Sequence, residues 1–433
     1  MTVTEPQTDV FYTALQEQYN LCSPSSSRAK AWERFQEKKF TGKKSEAFSY
    51  VPLRQLVSLA LYGPSGATLC KEDIASHIYQ ECKDSLLVFV DGVFSLELSS
   101  TEALEDVTIL PLSVAQKGSY GSFLQRRMHQ SMEQEQDPFA LLNMALSKEG
   151  AFVFIPPRLE LSAPIQCLFV TTSDQVATFP RIHIALGAEA KASLVTTSAH
   201  LGSCEGLFQS ALIDIALDEA SSLKHSLYLD LPKKAWGFAA VRASLKKQSL
   251  LDCINASTGS KSARQDYRVT LLGEGSDAKI SGLCWLEENH QSHVHVLVEH
   301  IAPNCTSNQF FKGALSGISQ SSFTGKIFVG QKAQKTQAYQ LNNNLLLAEG
   351  PIAYSKPGLE ILADDVKASH GATMTQLSDD QLFYLKSRGL SEETAKTLLV
   401  LGFCKEILDK ISCKSLKQQA LDSLEKYLAK LPK

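Results

Sequence analysis

Ile182-His-Ile-Ala-Leu186 and Ile213-Asp-Ile-Ala-Leu217 carry the pattern that decides the fold of this chain. In each, an apolar residue alternates with a polar or small one, so one face turns inward and the other outward, as in a half-buried β-strand. Leu227, Leu229 and Leu231 repeat the pattern, as do Val294, Val296 and Val298. Period two persists from Gly150 to about Thr373, with almost no helical interruption. A single β-sandwich takes about 100 residues, so more than twice that length of short strands favours a β-solenoid or a large barrel. A solenoid reaches this length by stacking coils on one narrow core. No strict short repeat is present, so any such coils are irregular.

Outward from this stretch the pattern becomes helical. Residues 9 to about 85 read as helix, with Ser27 as a cap before Trp32, Phe35 and Phe40, and a second stretch at Leu53–Leu61. Leu86-Leu-Val-Phe-Val90, Asp91-Gly92 and Val93-Phe-Ser-Leu96 read as a β-hairpin. Helical pattern returns from about Gly121 to Leu146. After the strands, Ser378-Asp-Asp-Gln381 is a capping box and Gly389 a helix stop. Ser391-Glu-Glu opens another helix, and the last one aligns Leu421, Leu424, Leu428 and Leu431. That stripe serves either internal packing or the docking of another protein. The domains expected are a mostly helical 1–146, a β core at 147–375 and a helical 376–433.

Among 433 residues, 43 Lys+Arg stand against 46 Asp+Glu, a formal net charge of −3. That balance argues against a dedicated nucleic-acid binder, which needs a basic face. No apolar run reaches the roughly 20 residues of a membrane span. The opening Met-Thr-Val-Thr-Glu-Pro lacks the features of a signal peptide, which suggests a cytoplasmic protein. The ten cysteines are scattered, with no C-x-x-C pair, and read as small buried hydrophobes.

Three segments are candidates for chemistry. His290, His293, His295 and His300 form the densest histidine cluster. On a strand His293 and His295 share one face, about 6.6 Å apart, and His300 takes the other. A stand-alone metal module built on them lacks supporting ligands nearby. No phosphate-binding loop or nucleophile elbow occurs, and Gly42-Lys-Lys-Ser45 and Gly63-Pro-Ser-Gly66 read as turns. Asp214 and Asp218 share a face, but a β-helix carbohydrate-active enzyme needs a fuller carboxylate cluster. The third segment is Asp364-Asp-Val-Lys-Ala-Ser-His370-Gly-Ala-Thr373. Its apolar face switches across Asp364-Asp365, a corner between strands, and His370 falls on the side of Val366 and Ala368.

Lys356-Pro-Gly-Leu-Glu-Ile361, Ala363–Thr373 and Gln381-Leu-Phe-Tyr-Leu-Lys-Ser-Arg-Gly-Leu390 together resemble the C-terminal signature of the SufB/SufD family. Asp137-Pro-Phe-Ala-Leu-Leu-Asn143, Ser321-Ser-Phe-Thr-Gly-Lys-Ile327 and Gln340-Leu-Asn-Asn-Asn-Leu-Leu-Leu347 extend the resemblance over about 137–410, with a weaker match across Trp32–Glu46. The pattern is nearer the SufD branch. Pro351 stands where SufB has a cysteine, and Ser369-His370-Gly371 where SufB tends to have Glu-His-Glu. Ala368 replaces a cysteine of many SufD proteins, and Ala47-Phe48 a common Glu-Trp.

The resemblance implies a right-handed parallel β-helix flanked by helical domains. It implies a non-catalytic scaffold for iron–sulfur cluster assembly, paired with a SufB-like subunit and docking a SufC-like ATPase. On this reading His370 is a metal ligand, and a transient cluster is shared with SufB. Leu382, Phe383, Tyr384, Arg388, Leu424 and Leu428 face the ATPase. No nucleotide site is expected in this chain; flavin binding by the complex and a homodimer of the isolated chain stay open.

Overall fold

The computed structural model describes residues 6–40, 48–64 and 66–431. The Gly42–Ser45 turn, the end of the weak match at Glu46, Ala47, and Ser65 of the second turn lie outside the described residues. Two sheets run the length of the molecule, and from Arg181–Leu186 onward successive strands alternate between them. Each strand pairs in parallel with the strand two places along the chain. Leu207 lies beside Ala235, Ser222 beside Leu250 and Thr336 beside Val366. The architecture is therefore a parallel β-solenoid, and the barrel falls away. A coil spans 26 residues from Trp236 to Ser262 but 32 from Gln320 to Ile352. Only the inward side-chain class repeats while corner lengths vary, which is why the sequence shows no strict period.

The alternation sets three layers. Ile182, Ile184, Ile213, Ile215, Val241, Val269, Val296 and Val298 point inward from one sheet, Leu223, Leu227, Leu251 and Ile280 from the other. The outer face of the first sheet is also apolar at Phe208 and Phe238, which pack against Phe139 and the N-terminal helices Pro6–Asn20 and Ser26–Lys38. The outer face of the second carries Tyr228, Trp285 and Ala314, covered by helices Glu392–Leu408 and Lys414–Leu428.

Several local readings shift. Ser25, not Ser27, caps the second helix, accepting from Arg28 N. The stretch at Leu53–Leu61 shrinks to one turn, Leu53–Leu56. The Gly121–Leu146 helix is two, Gly121–Gln134 and Pro138–Leu146, because Pro138 has no N–H to continue a helix and Asp137 caps the second, accepting from Phe139 N at 2.7 Å. The hairpin Leu86–Val90/Val93–Ser100 turns through Asp91 (φ 48°) and Gly92 (φ 85°). It is part of the solenoid: Leu86–Val90 pairs in parallel with Ile165–Thr171. Thr108–Pro111 caps the other sheet, antiparallel to Ala151–Ile155.

A buried ionic network fastens the segment before Pro138 to the first sheet. Arg242 binds Glu135 at 2.7 Å and Asp266 at 2.6 Å; Arg264 binds Asp137 at 2.5 Å and Asp266 at 3.0 Å. His295 Nδ1 lies 2.6 Å from the same Asp266. Charges so buried are tolerated because each meets a partner. Asp266→Ala should lower the free energy of urea unfolding by about 3–5 kcal/mol, whereas Lys234→Ala at a surface ion pair should leave the midpoint unchanged.

The solenoid also buries neutral histidines. His225 lies inside, Nε2 3.0 Å from Thr196 Oγ1, and burial holds its pKa down to about 4. Burial, aided by Arg264, holds that of His293 down to about 3. Unfolded, both take up protons below about pH 6.5; folded, they do not. Stability is therefore full above that pH and falls as acid is added toward pH 4. In urea titrations across pH 6.5 to 4, His225→Gln should flatten the slope by about 1.4 kcal/mol per pH unit.

Candidate functional site at the terminal coil

Strands Ile352–Ile361 and Val366–Thr375 are the last of their sheets, and each has a neighbour on one side only. The corner between them contains Asp364-Asp365, with Asp365 N donating to Gln334 Oε1 at 2.9 Å. This corner explains the switch in the apolar face: the chain crosses from one sheet to the other, and both apolar sets point into the same interior. Val366 and Ala368 pack there with Ala338, Ala363 and Ile361. His370 continues that face opposite Gln340. It is exposed because no coil follows to cover it.

Among the described residues, no three or more His, Cys, Asp or Glu lie together as a metal set. Three of the four clustered histidines are engaged: His293 Nδ1 lies 2.8 Å from Ser322 Oγ, His295 is tied to Asp266, and His300 Nε2 lies 2.8 Å from Ser307 Oγ inside the solenoid, while His290 is buried with neither ring nitrogen hydrogen-bonded among the described residues. His293 and His295 do share a face with His300 opposite, yet they form no joint site. Asp214, the first carboxylate of the carbohydrate-enzyme reading, is buried against Arg127 at 2.6 Å.

The C-terminal candidates divide. Ser378 caps helix Asp379–Ser387, accepting from Gln381 N, and Gly389 (φ 88°) follows it. No residue of this helix is buried. Phe383 is 74% and Tyr384 57% exposed, and Arg388 lies over the Tyr384 ring at 5.3 Å. Leu382 is half-buried. Leu424 and Leu428 are corrected: both are buried with Tyr228, Trp285 and Ala314, which leaves them no surface for a partner. The aromatic residues on the outward parity of those strands were the signal that something covers that face.

Residues 169–403 match the family model described as SUF system FeS cluster assembly, SufBD core domain, and residues 12–167 match the SufBD protein N-terminal region. The chain belongs to the SufBD family. An iron-sulfur cluster assembly SufBD family protein of Synechocystis sp. is 29% identical over 388 residues, covering 87% of this chain and 84% of that protein. Iron-sulfur cluster assembly protein SufD of Escherichia coli is 37% identical over 158 residues, 36% of this chain and 37% of that protein. SufB of Bacillus subtilis is 24% identical over 265 residues, 61% and 57% of the two chains. Among the described residues, no helix is long and apolar enough to cross a membrane.

The two classes of C-terminal residue should separate on substitution. Leu424→Ala should cost about 2–5 kcal/mol in urea unfolding, because the space it leaves is fully enclosed. Phe383→Ser should leave the unfolding midpoint unchanged.

Proposed function

We propose that this chain is a SufD-type scaffold subunit of a SUF assembly complex. It pairs through its terminal coil with a SufB-like subunit and docks a SufC-like ATPase through Phe383, Tyr384 and Arg388. The nascent iron–sulfur cluster is its cargo, and His370 is the one ligand this chain supplies. The observation that carries this reading is the position of His370 on a terminal strand with one open edge, exposed and outside any set of three or more His, Cys, Asp or Glu among the described residues. A ten-residue strand with one open edge is a template for pairing with another chain. A lone imidazole there is an incomplete site that a partner's thiolates complete.

The chemistry suits assembly rather than storage. Iron–sulfur clusters are held most firmly by thiolates, so a neutral imidazole is an exchangeable ligand. In this reading the chain performs no bond-making step; it holds, orients and releases. The ATPase acts at the exposed helix Asp379–Ser387, and a rigid-body shift there moves the junction.

Two substitutions test the reading. His370→Ala should leave the complex assembled while iron and sulfide per complex fall; normal cluster content in an intact complex removes His370 from the site. Phe383→Ser with Tyr384→Ser should weaken capture of the ATPase at least about tenfold, a loss of roughly 1.4 kcal/mol, with SufB pairing retained. Full capture by that variant would place the docking face elsewhere. Deleting 378–433 is a poorer test, because those helices also cover Tyr228 and Trp285.

A further inference from the structure

Adjacent inward positions of one sheet form a column: Ile280 beside Gln309, Gln309 beside Gln340, Gln340 beside His370. The column changes from apolar to polar as it nears the open end. Gln309 and Gln340 are 0% and 3% exposed, so the amides are inside the molecule. Gln340 Nε2 donates to Gln309 Oε1 at 2.6 Å. Its Oε1 is buried and has no partner among the described residues. Turning this amide alone would set oxygen against oxygen at Gln309 and lose that bond; Gln309 Nε2 is also buried without a partner among the described residues, so a bond between the two amides survives only if both turn together. One neighbour in the column remains, and it is His370.

The opposite sheet makes room for this arrangement. A Cβ on Gly325 would lie 2.1 Å from Gln340 Nε2, so the glycine is what allows the amide to stand there. The residue following it in register is Pro357, whose ring offers no hydrogen bond. A buried acceptor without a donor is a costly feature to keep unless a donor reaches it.

We propose that Gln340 is the positioning residue of His370: its Oε1 accepts one ring N–H and leaves the other ring nitrogen unprotonated toward the open end. A neutral imidazole has one donor nitrogen and one acceptor nitrogen, so binding the donor selects the tautomer and the ring orientation. Ligating histidines are commonly held in this way by a second hydrogen bond. The role of the acceptor nitrogen rests on the reading of His370 as a cluster ligand; the hydrogen bond to Gln340 does not.

The experiment uses the full chain labelled with 15N-histidine, with the His370 signals assigned by their absence in His370→Ala. A single tautomer with a hydrogen-bonded ring N–H is expected. Gln340→Met, similar in length but without an acceptor, should abolish that N–H signal, and Gln340→Glu, which keeps an acceptor once Gln309 turns its free Nε2 toward the carboxylate, should retain it. Gly325→Ala, which displaces the amide without removing it, should also lose the signal and stands in if Gln340→Met does not fold. In the assembled complex, Gln340→Met should lower cluster content about tenfold, as loss of the hydrogen bond that orients a ligating histidine does, with Gln340→Glu restoring most of it. An unchanged tautomer and N–H in folded Gln340→Met overturns the proposal. If the N–H behaves as expected but His370→Ala leaves cluster content normal, the ligand reading fails and the hydrogen bond stands.

Discussion

A parallel strand bonds to a neighbour on each side, and a solenoid supplies those neighbours everywhere except at its two ends. This molecule treats its ends differently. The first coil is closed by antiparallel strands, Val93–Ser100 on one sheet and Thr108–Pro111 on the other. The last coil ends in two ten-residue strands with no further strand beside them among the described residues. Ile352, Leu362 and Met374 are about half exposed there, at 48%, 56% and 50%. The exposure of His370 follows from the same fact, since every equivalent position in earlier coils is covered by the next.

The two outer faces of the solenoid are closed by opposite ends of the chain. N-terminal helices lie on one sheet and are held by aromatic packing and by the buried network around Asp266. The same region reaches the terminal coil, where Tyr50 stacks on Tyr354 at 4.0 Å. C-terminal helices lie on the other sheet, which is the one that ends in the His370 strand. Lys312 Nζ donates to Phe403 O at 3.0 Å, and Tyr427 OH donates to Ala314 O at 3.2 Å. Both bonds grip Thr306–Leu315, two strands from His370. Force applied to the C-terminal helices therefore has a short, hydrogen-bonded path to the terminal coil.

This arrangement also explains why the leucine stripe of the last helix and the aromatic pair of the earlier one differ in exposure. Leu424 and Leu428 have a wall of Tyr228, Trp285 and Ala314 to pack on. Phe383 and Tyr384 are exposed, and their helix buries none of its residues. Spacing along a helix shows which residues share a face, but what the face meets depends on where the helix is placed.

Alternation at Ile182–Leu186, Ile213–Leu217 and Val294–Val298 determined the β core by itself, because side-chain parity on a strand is a local property. The hairpin at Asp91-Gly92, the caps at Ser378 and Ser391, and the corner at Asp364-Asp365 were legible for the same reason: each depends on a few neighbouring residues. The resemblance at 356–390 then pointed to His370 and to the family. What only the tertiary structure decided is everything that depends on residues a coil apart. The register that sets Gln340 beside His370, the glycine that makes room for Gln340, and the pairing of Asp266 with Arg242 and His295 join positions from about half a coil to a full coil apart. Coil lengths vary from 26 to 32 residues, so no fixed spacing along the chain marks which residues will stack; the backbone ladder makes that choice when the sheets form.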